Sequence, residues 1–167
     1  VDSEIDKRLD AIGTPVALAA RGKAAVANAR LAYKLFRERF SDARWDTLAA
    51  KGAQVQRPLW ASTGTKNPAY SDVVYVETLV GPHTVNTLPP ATLDAFRDHG
   101  SVARTVDVDD AGAASAIAAI EALGISLNAV TDQLLVEGLA SFQQSFDSLL
   151  GGIEKKTTLL AKQKSGK

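Results

Sequence analysis

The stretch "RPLWASTGTKNPAYSD", Arg57 to Asp72, decides how this chain is read. A short apolar run, Pro58-Leu59-Trp60-Ala61, gives way at once to Ser62, Thr63, Gly64, Thr65, Lys66 and Asn67, and Pro68 follows. Such a break reads as a strand, Val55 to Ala61, running into a polar loop. In parallel α/β architectures ligand groups gather where strands end at their C-terminal edge, because side chains and loop amides converge there. Ser62 and Lys66 stand at that edge. A hydroxyl, amides made approachable by Gly64, and a compact ammonium charge together suit a phosphate group. An ordinary polar connection between strand and helix has the same composition, and the loop alone leaves both readings open. The spacing is not that of a Walker motif, so a nucleotide is not implied.

Downstream, Tyr70 to Val80 carries Val73, Val74, Val76, Leu79 and Val80, a pattern that suits helix or strand; its position favours helix. Gly81-Pro82 breaks it, and Thr84 to Leu88 reads as a second strand ending at Pro89-Pro90. Ala91 to His99 is a helix closed by Gly100, and a further helix starts at Asp109-Asp110 and ends at Gly124. The last helix starts at Ser126, carries Leu127, Val130, Leu134, Leu135, Leu139, Phe142, Phe146 and Leu149 on one stripe, and stops at Gly151-Gly152. Residues 153–167 form a Lys-rich tail with Lys155, Lys156, Lys162, Lys164 and Lys167, readable as a phosphate-binding arm or as a frayed, solvated end.

Upstream, Asp2 to Ile12 reads as a helix with Ser3 as its N-cap, stopped by Gly13 and Pro15. Ala17 to Phe40 reads as one long amphipathic helix with Ala25, Ala29, Ala32, Phe36 and Phe40 on its apolar side. A short helix over Asp42 to Ala50 precedes the first strand. Two short strands leave unpaired edges and make no stable sheet by themselves, so this order of elements looks like a piece of an α/β structure.

The chain has 167 residues, with 19 Lys plus Arg balanced by 19 Asp plus Glu. A zero formal charge provides no overall field for nucleic acid or an acidic membrane surface, and neither partner is expected. There is no Cys, which removes disulfides, thiolate nucleophiles and Cys-ligated metals. No apolar run approaches the roughly 20 residues of a membrane span, the start is acidic, and a cytoplasmic location is expected. The chain has no Met at all, and Val1 is expected not to be the natural start.

Conventional catalytic signatures are missing: there is no HExxH, GxSxG or GxGxxG, and no carboxylate cluster with metal spacing. His83 follows Gly81-Pro82 in a turn and His99 sits beside a helix-ending Gly, positions where exposed histidines are common, and Glu77 is expected to face solvent. Lys66, set among Thr, Asn and Pro, lacks the desolvation that an amine nucleophile needs.

The segment "RPLWASTGTKNPAYSDVVYVETLVGPHTVNTLPPATLDAFRDHG", Arg57 to Gly100, closely resembles bacterial transaldolases of the subfamily that reads WAS-T-G-x-K, then YVE-x-L-x-GP, then TVNT-x-P-x-ATLDAF. "GISLNAVTDQLLVEGLASFQQSFDSLL", Gly124 to Leu150, matches the closing helix of that subfamily, and "VDSEIDKRLDAIG" looks like the segment after its sixth barrel strand. The resemblance implies an α/β fold, the C-terminal portion of a (β/α)8 TIM barrel, with parallel strands at about 55–61 and 84–88 and a predominantly helical remainder over residues 1–152. It implies transfer of a dihydroxyacetone unit between sugar phosphates through a lysine Schiff base, without metal or cofactor. The implied substrates are sedoheptulose 7-phosphate and glyceraldehyde 3-phosphate, giving erythrose 4-phosphate and fructose 6-phosphate in the non-oxidative pentose phosphate pathway. Ser62 falls on the family's phosphate-contacting serine and Lys66 on a basic phosphate partner, where other transaldolases place an Arg nearer the serine. The family's imine lysine, acid/base carboxylates and sixth-strand arginine would all precede Val1. No catalytic residue is therefore expected in this chain, which reads as a fragment that is inactive alone. Its expected partners are sugar phosphates and either a second copy or the missing N-terminal barrel half. A noncatalytic sugar-phosphate-binding module, or a helical interaction module docking through its apolar stripe, is the competing reading.

Overall fold

The computed structural model describes residues 1–165, with side chains described to residue 161. The elements run α1 (Asp2–Ile12), α2 (Pro15–Ala19), α3 (Ala24–Arg39), α4 (Ala43–Ala49), β1 (Leu59–Trp60), α5 (Val74–Glu77), β2 (Val85–Asn86), α6 (Pro90–His99), α7 (Asp110–Ala122) and α8 (Leu127–Ser165). The chain divides into two compact units, Val1–Leu127 and Asn128–Lys167. The fold is mostly helical, with two parallel strands.

In the first unit β1 and β2 pair in parallel, Leu59 opposite Val85 and Trp60 opposite Asn86. Val85 N–H donates to Pro58 O at 3.0 Å, and Thr87 N–H to Trp60 O at 3.0 Å. Both strands are shorter than the expected 55–61 and 84–88, because only these residues find a ladder partner. Beyond β2, Pro89 and Pro90 supply no amide to extend the ladder. The Trp60 indole N–H donates to Leu79 O at 3.1 Å, fixing the strand end against the segment that links the two strands.

That linking segment is helical only over Val74–Glu77, not over the whole of Tyr70 to Val80. Its β-branched residues are stiff, and Val80 leaves the helix to bond elsewhere: Val80 O accepts from Thr105 N–H at 2.9 Å and Val106 N–H at 3.1 Å. Tyr33, Leu79 and Val106 form the core there, with Val26, Phe36 and Trp60 packed around them.

The expected long helix over Ala17 to Phe40 is two helices. Thr14 caps α2 by accepting from Ala17 N–H, and the chain then turns at Gly22, which takes φ 69°. No side chain at Lys23 caps α3. Acceptors come instead from α1: Asp2 accepts from Ala25 N–H, in the first turn of α3, at 2.7 Å, and Asp6 from Gly22 N–H, in the turn before it, at 2.9 Å. The buried face of α3 centres on Ala24, Ala27 and Tyr33, while Ala32 is exposed. On α1, Ile5, Leu9, Asp2 and Asp6 share one buried face, and Val1 rather than Ser3 occupies the N-cap position. Helix α3 packs against α7, and Arg37 reaches Asp110 at 2.5 Å near the start of α7. The predicted helices at 42–50, 91–99 and 109–123 are present, with Asp42 and Asp109 as side-chain caps.

The second unit is α8. It does not stop at Gly151-Gly152 but continues to Ser165. Each helical Gly costs about 1 kcal/mol relative to Ala, which lowers helix stability without breaking it, and neither glycine adopts a positive φ. Lys155 and Lys156 lie exposed on this helix, whereas Lys162, Lys164 and Lys167 fall outside the residues whose side chains are described. Leu135, Leu139, Phe142, Phe146 and Leu149 are all more than half exposed, with Phe142 at 81%.

Candidate functional site

The loop that follows β1 lines a cleft of about 530 Å³ in the first unit. Ser62, Thr63, Gly64, Lys66 and Asn67 line it from the loop, Asp2, Asp6, Lys7 and Asp10 from α1, and Leu59, Trp60, Tyr70 and Tyr75 complete much of its surface. Ser62 and Lys66, far enough apart in sequence to diverge, thus meet on one concavity.

The loop is pinned from inside. The Thr63 hydroxyl, 3% exposed, donates to Asn86 Oδ1 on β2 at 2.7 Å, and Asn86 Nδ2 donates to Tyr75 O at 3.4 Å. The Thr65 hydroxyl donates to Ser71 O at 2.9 Å. Ser62 is held at φ 56°, in the left-handed region that non-glycine residues seldom occupy. Among the described residues, the main-chain N–H groups of Ser62, Thr63, Gly64 and Thr65 meet no intramolecular acceptor, and neither the Ser62 hydroxyl nor the Lys66 ammonium has a partner. Donors concentrated on a concave, partly apolar surface are suited to an oxyanion.

The α1 side of the cleft has the opposite character. Asp2 and Asp6 are 6% and 8% exposed, and both oxygens of each are committed. The second oxygen of Asp2 accepts the Tyr75 O–H at 2.5 Å, and that of Asp6 accepts the Tyr70 O–H at 2.7 Å. Burial, reinforced by the Asp2 hydrogen bond, pushes the Tyr75 phenol well above its ordinary range. Burial and the Asp6 bond raise Tyr70 in the same direction, with the Arg21 guanidinium opposing. These carboxylates act as anchors, since a group with both oxygens bonded has little freedom to serve as acid or base. The sequence reading missed all four residues, although Asp2 and Asp6 are one helical turn apart beside Ile5 and Leu9. Which tyrosines face them depends on folding across 64 and 73 residues of chain.

The other flagged residues lie elsewhere. His83, exposed and with φ 61°, is beside Phe36. His99 is exposed and bridges Asp72 at 2.9 Å and Asp98 at 3.1 Å; those hydrogen bonds raise its pKa, the Asp72 bond most. Glu77 is half-buried rather than solvent-facing, because it accepts Ser101 N–H at 2.6 Å and so ties down the chain after α6. Among the described residues no group of three or more His, Cys, Asp or Glu could hold a metal, and no single helix is long and apolar enough to cross a membrane.

Comparison with known proteins places this arrangement. The family model described as transaldolase/fructose-6-phosphate aldolase matches residues 1–153. Transaldolase 1 of Streptomyces coelicolor is 53% identical over 156 residues, which is 93% of this chain and 41% of the relative. The transaldolase of Arthrobacter sp. is 55% identical over 157 residues, 92% of this chain and 42% of the relative. That of Frankia alni is 50% identical over 154 residues, again 92% and 42%. The chain therefore spans about two fifths of the length of these curated relatives. With a parallel strand pair, a strand-end loop rich in free donors and a family match over almost its full length, this chain belongs to the transaldolase/fructose-6-phosphate aldolase family.

Proposed function

We propose that the chain is the phosphate-binding C-terminal portion of a (β/α)8 transaldolase, with β1 and β2 as the seventh and eighth barrel strands and Ser62 and Lys66 as contacts to the sugar phosphate. The observation that carries this reading is that Ser62 and Lys66, whose polar side-chain groups have no partner, line one cleft with Thr63 and Gly64, the amides of Ser62, Thr63 and Gly64 being uncommitted, beside the ends of two parallel strands. Ligand sites gather at that end of α/β barrels, and phosphate is often bound by loops after strands seven and eight. Residues 1–152 are assigned to the barrel and 153–167 to a Lys-rich C-terminal tail.

The proposed reaction is the transfer of a dihydroxyacetone unit from sedoheptulose 7-phosphate to glyceraldehyde 3-phosphate through a lysine imine, in the cytoplasmic pentose phosphate pathway. An imine-forming lysine must lose its proton near neutral pH, which requires desolvation or a cationic neighbour. Lys7, Lys23, Lys34, Lys51, Lys66, Lys155 and Lys156 are all exposed, and Lys7 is paired with Glu4 at 2.6 Å. We assign the imine lysine to the part of the parent protein outside this chain. The role left to Ser62 and Lys66 is to hold the phosphate end of the sugar, a contact made equally in ground and transition states, so it lowers KM more than it raises kcat.

Incubation with fructose 6-phosphate and borohydride, followed by mass spectrometry, tests the assignment. The expected result is no adduct on this chain alone and an adduct after co-refolding with the part of the Streptomyces coelicolor relative that it does not match. In the assembled enzyme Lys66→Ala should raise KM about tenfold with kcat nearly unchanged. An unchanged KM sinks the Lys66 role. An adduct on the isolated chain sinks the placement of the imine lysine. The exposure of every described lysine also favours a second reading, a sugar-phosphate-binding module without turnover; failure of the co-refolded pair to form an adduct while the chain binds phosphate would support it.

A further inference from the structure

The geometry points to a positioning pair, Asp6 and Tyr70, which holds the Lys66–Asn67 turn over the cleft. This pair, acting through the turn's own hydrogen bonds, determines where the Lys66 ammonium can reach. The inference deepens the phosphate reading above and rests on it for its functional meaning.

The first half of the loop is tied to β2 through Thr63 and to Ser71 through Thr65. The second half has a different anchor. Tyr70 N–H donates to Asn67 O at 3.1 Å and Ala69 N–H to Asn67 Oδ1 at 3.0 Å, closing a turn directly after Lys66. That turn is only as well placed as Tyr70. The Tyr70 ring lies so close to Gly22 that a Cβ there would come within 2.8 Å of its Cζ, and its hydroxyl donates to Asp6. Asp6 is a fixed point: its helix is locked by Ile5 and Leu9, both at 0% exposure, and its other oxygen accepts Gly22 N–H. Lys66 has no partner of its own, so its ammonium on a four-carbon stem depends on the turn for position. Preorganising such a group reduces the ordering cost when an anion arrives.

The test uses the full chain with inorganic phosphate as probe, comparing Tyr70→Phe and Asp6→Asn with Tyr33→Phe. Tyr33 supplies the control because its hydroxyl also donates a hydrogen bond in the first unit, to Pro82 O at 3.0 Å, but lies in the core. Hydrogen exchange of the Thr65–Tyr70 amides and phosphate affinity are measured on variants whose circular dichroism matches the parent chain. Both site variants should speed exchange about tenfold and weaken phosphate binding about tenfold, and Tyr33→Phe should alter neither. Folded Tyr70→Phe and Asp6→Asn chains with unchanged loop exchange overturn the pair, whatever phosphate does. Accelerated exchange in a chain that never binds phosphate upholds the pair as an anchor of the turn and overturns the phosphate reading instead.

Discussion

At the scale of single residues, Ser62 combines a side chain suited to an anion with a backbone that a side chain does not favour. A left-handed φ costs an L-residue roughly 1–2 kcal/mol, whereas Gly adopts it freely. Ser62→Gly should therefore be more stable than Ser62→Ala by about 1 kcal/mol in thermal or urea melts, although both lack the hydroxyl. Equal stability of the two would show that the strain is relieved in solution. His99 offers a test of a different kind. Its pKa is raised by the Asp72 and Asp98 carboxylates, so the stabilisation it contributes is complete below about pH 6.5 and is lost as pH rises through the higher folded value. An NMR titration should place its midpoint above 6.5, and Asp72→Asn should move it down. A midpoint indifferent to Asp72 would remove the link between the end of α6 and the residue that closes the opening stretch.

At the scale of elements, close approach between segments replaces an extended sheet. A Cβ at Gly81 would lie 2.2 Å from Val106 Cγ1, and Val106 is fully buried at the centre of the core with Tyr33 and Leu79. Gly81→Ala should cost about 2–3 kcal/mol, measured as a lower midpoint in urea with unchanged slope, because the neighbour is packed on all sides. A variant as stable as the parent chain would mean that this segment shifts easily. The helix boundaries show which local rules prevailed. Gly13, Asp42, Asp109 and Pro90 act where their chemistry predicts, because capping and N-terminal Pro depend on residues a few positions apart. The break at Gly22 was not readable from periodicity, because the partners that meet its freed amides are carboxylates on another helix.

At the scale of the whole chain, α8 carries a long apolar stripe that is exposed, and most helical stability in proteins comes from packing such a face. Its amides from Leu135 onward should exchange on the order of 100-fold faster than those of Ile5 and Leu9 in α1. Protection equal to that of α1 would show that the stripe is covered in solution. The amino-acid sequence by itself determined the family, the presence and order of most helices, the two short strands and the loop bearing Ser62 and Lys66, since these follow from local propensity and contiguous motifs. Only the tertiary structure decided that Ser62 and Lys66 line one cleft, that a single expected helix is two, and that Asp2 joins α3, and Asp6 the turn before it, to a tyrosine. Those facts depend on contacts between residues far apart in the chain, which no local pattern of side chains encodes.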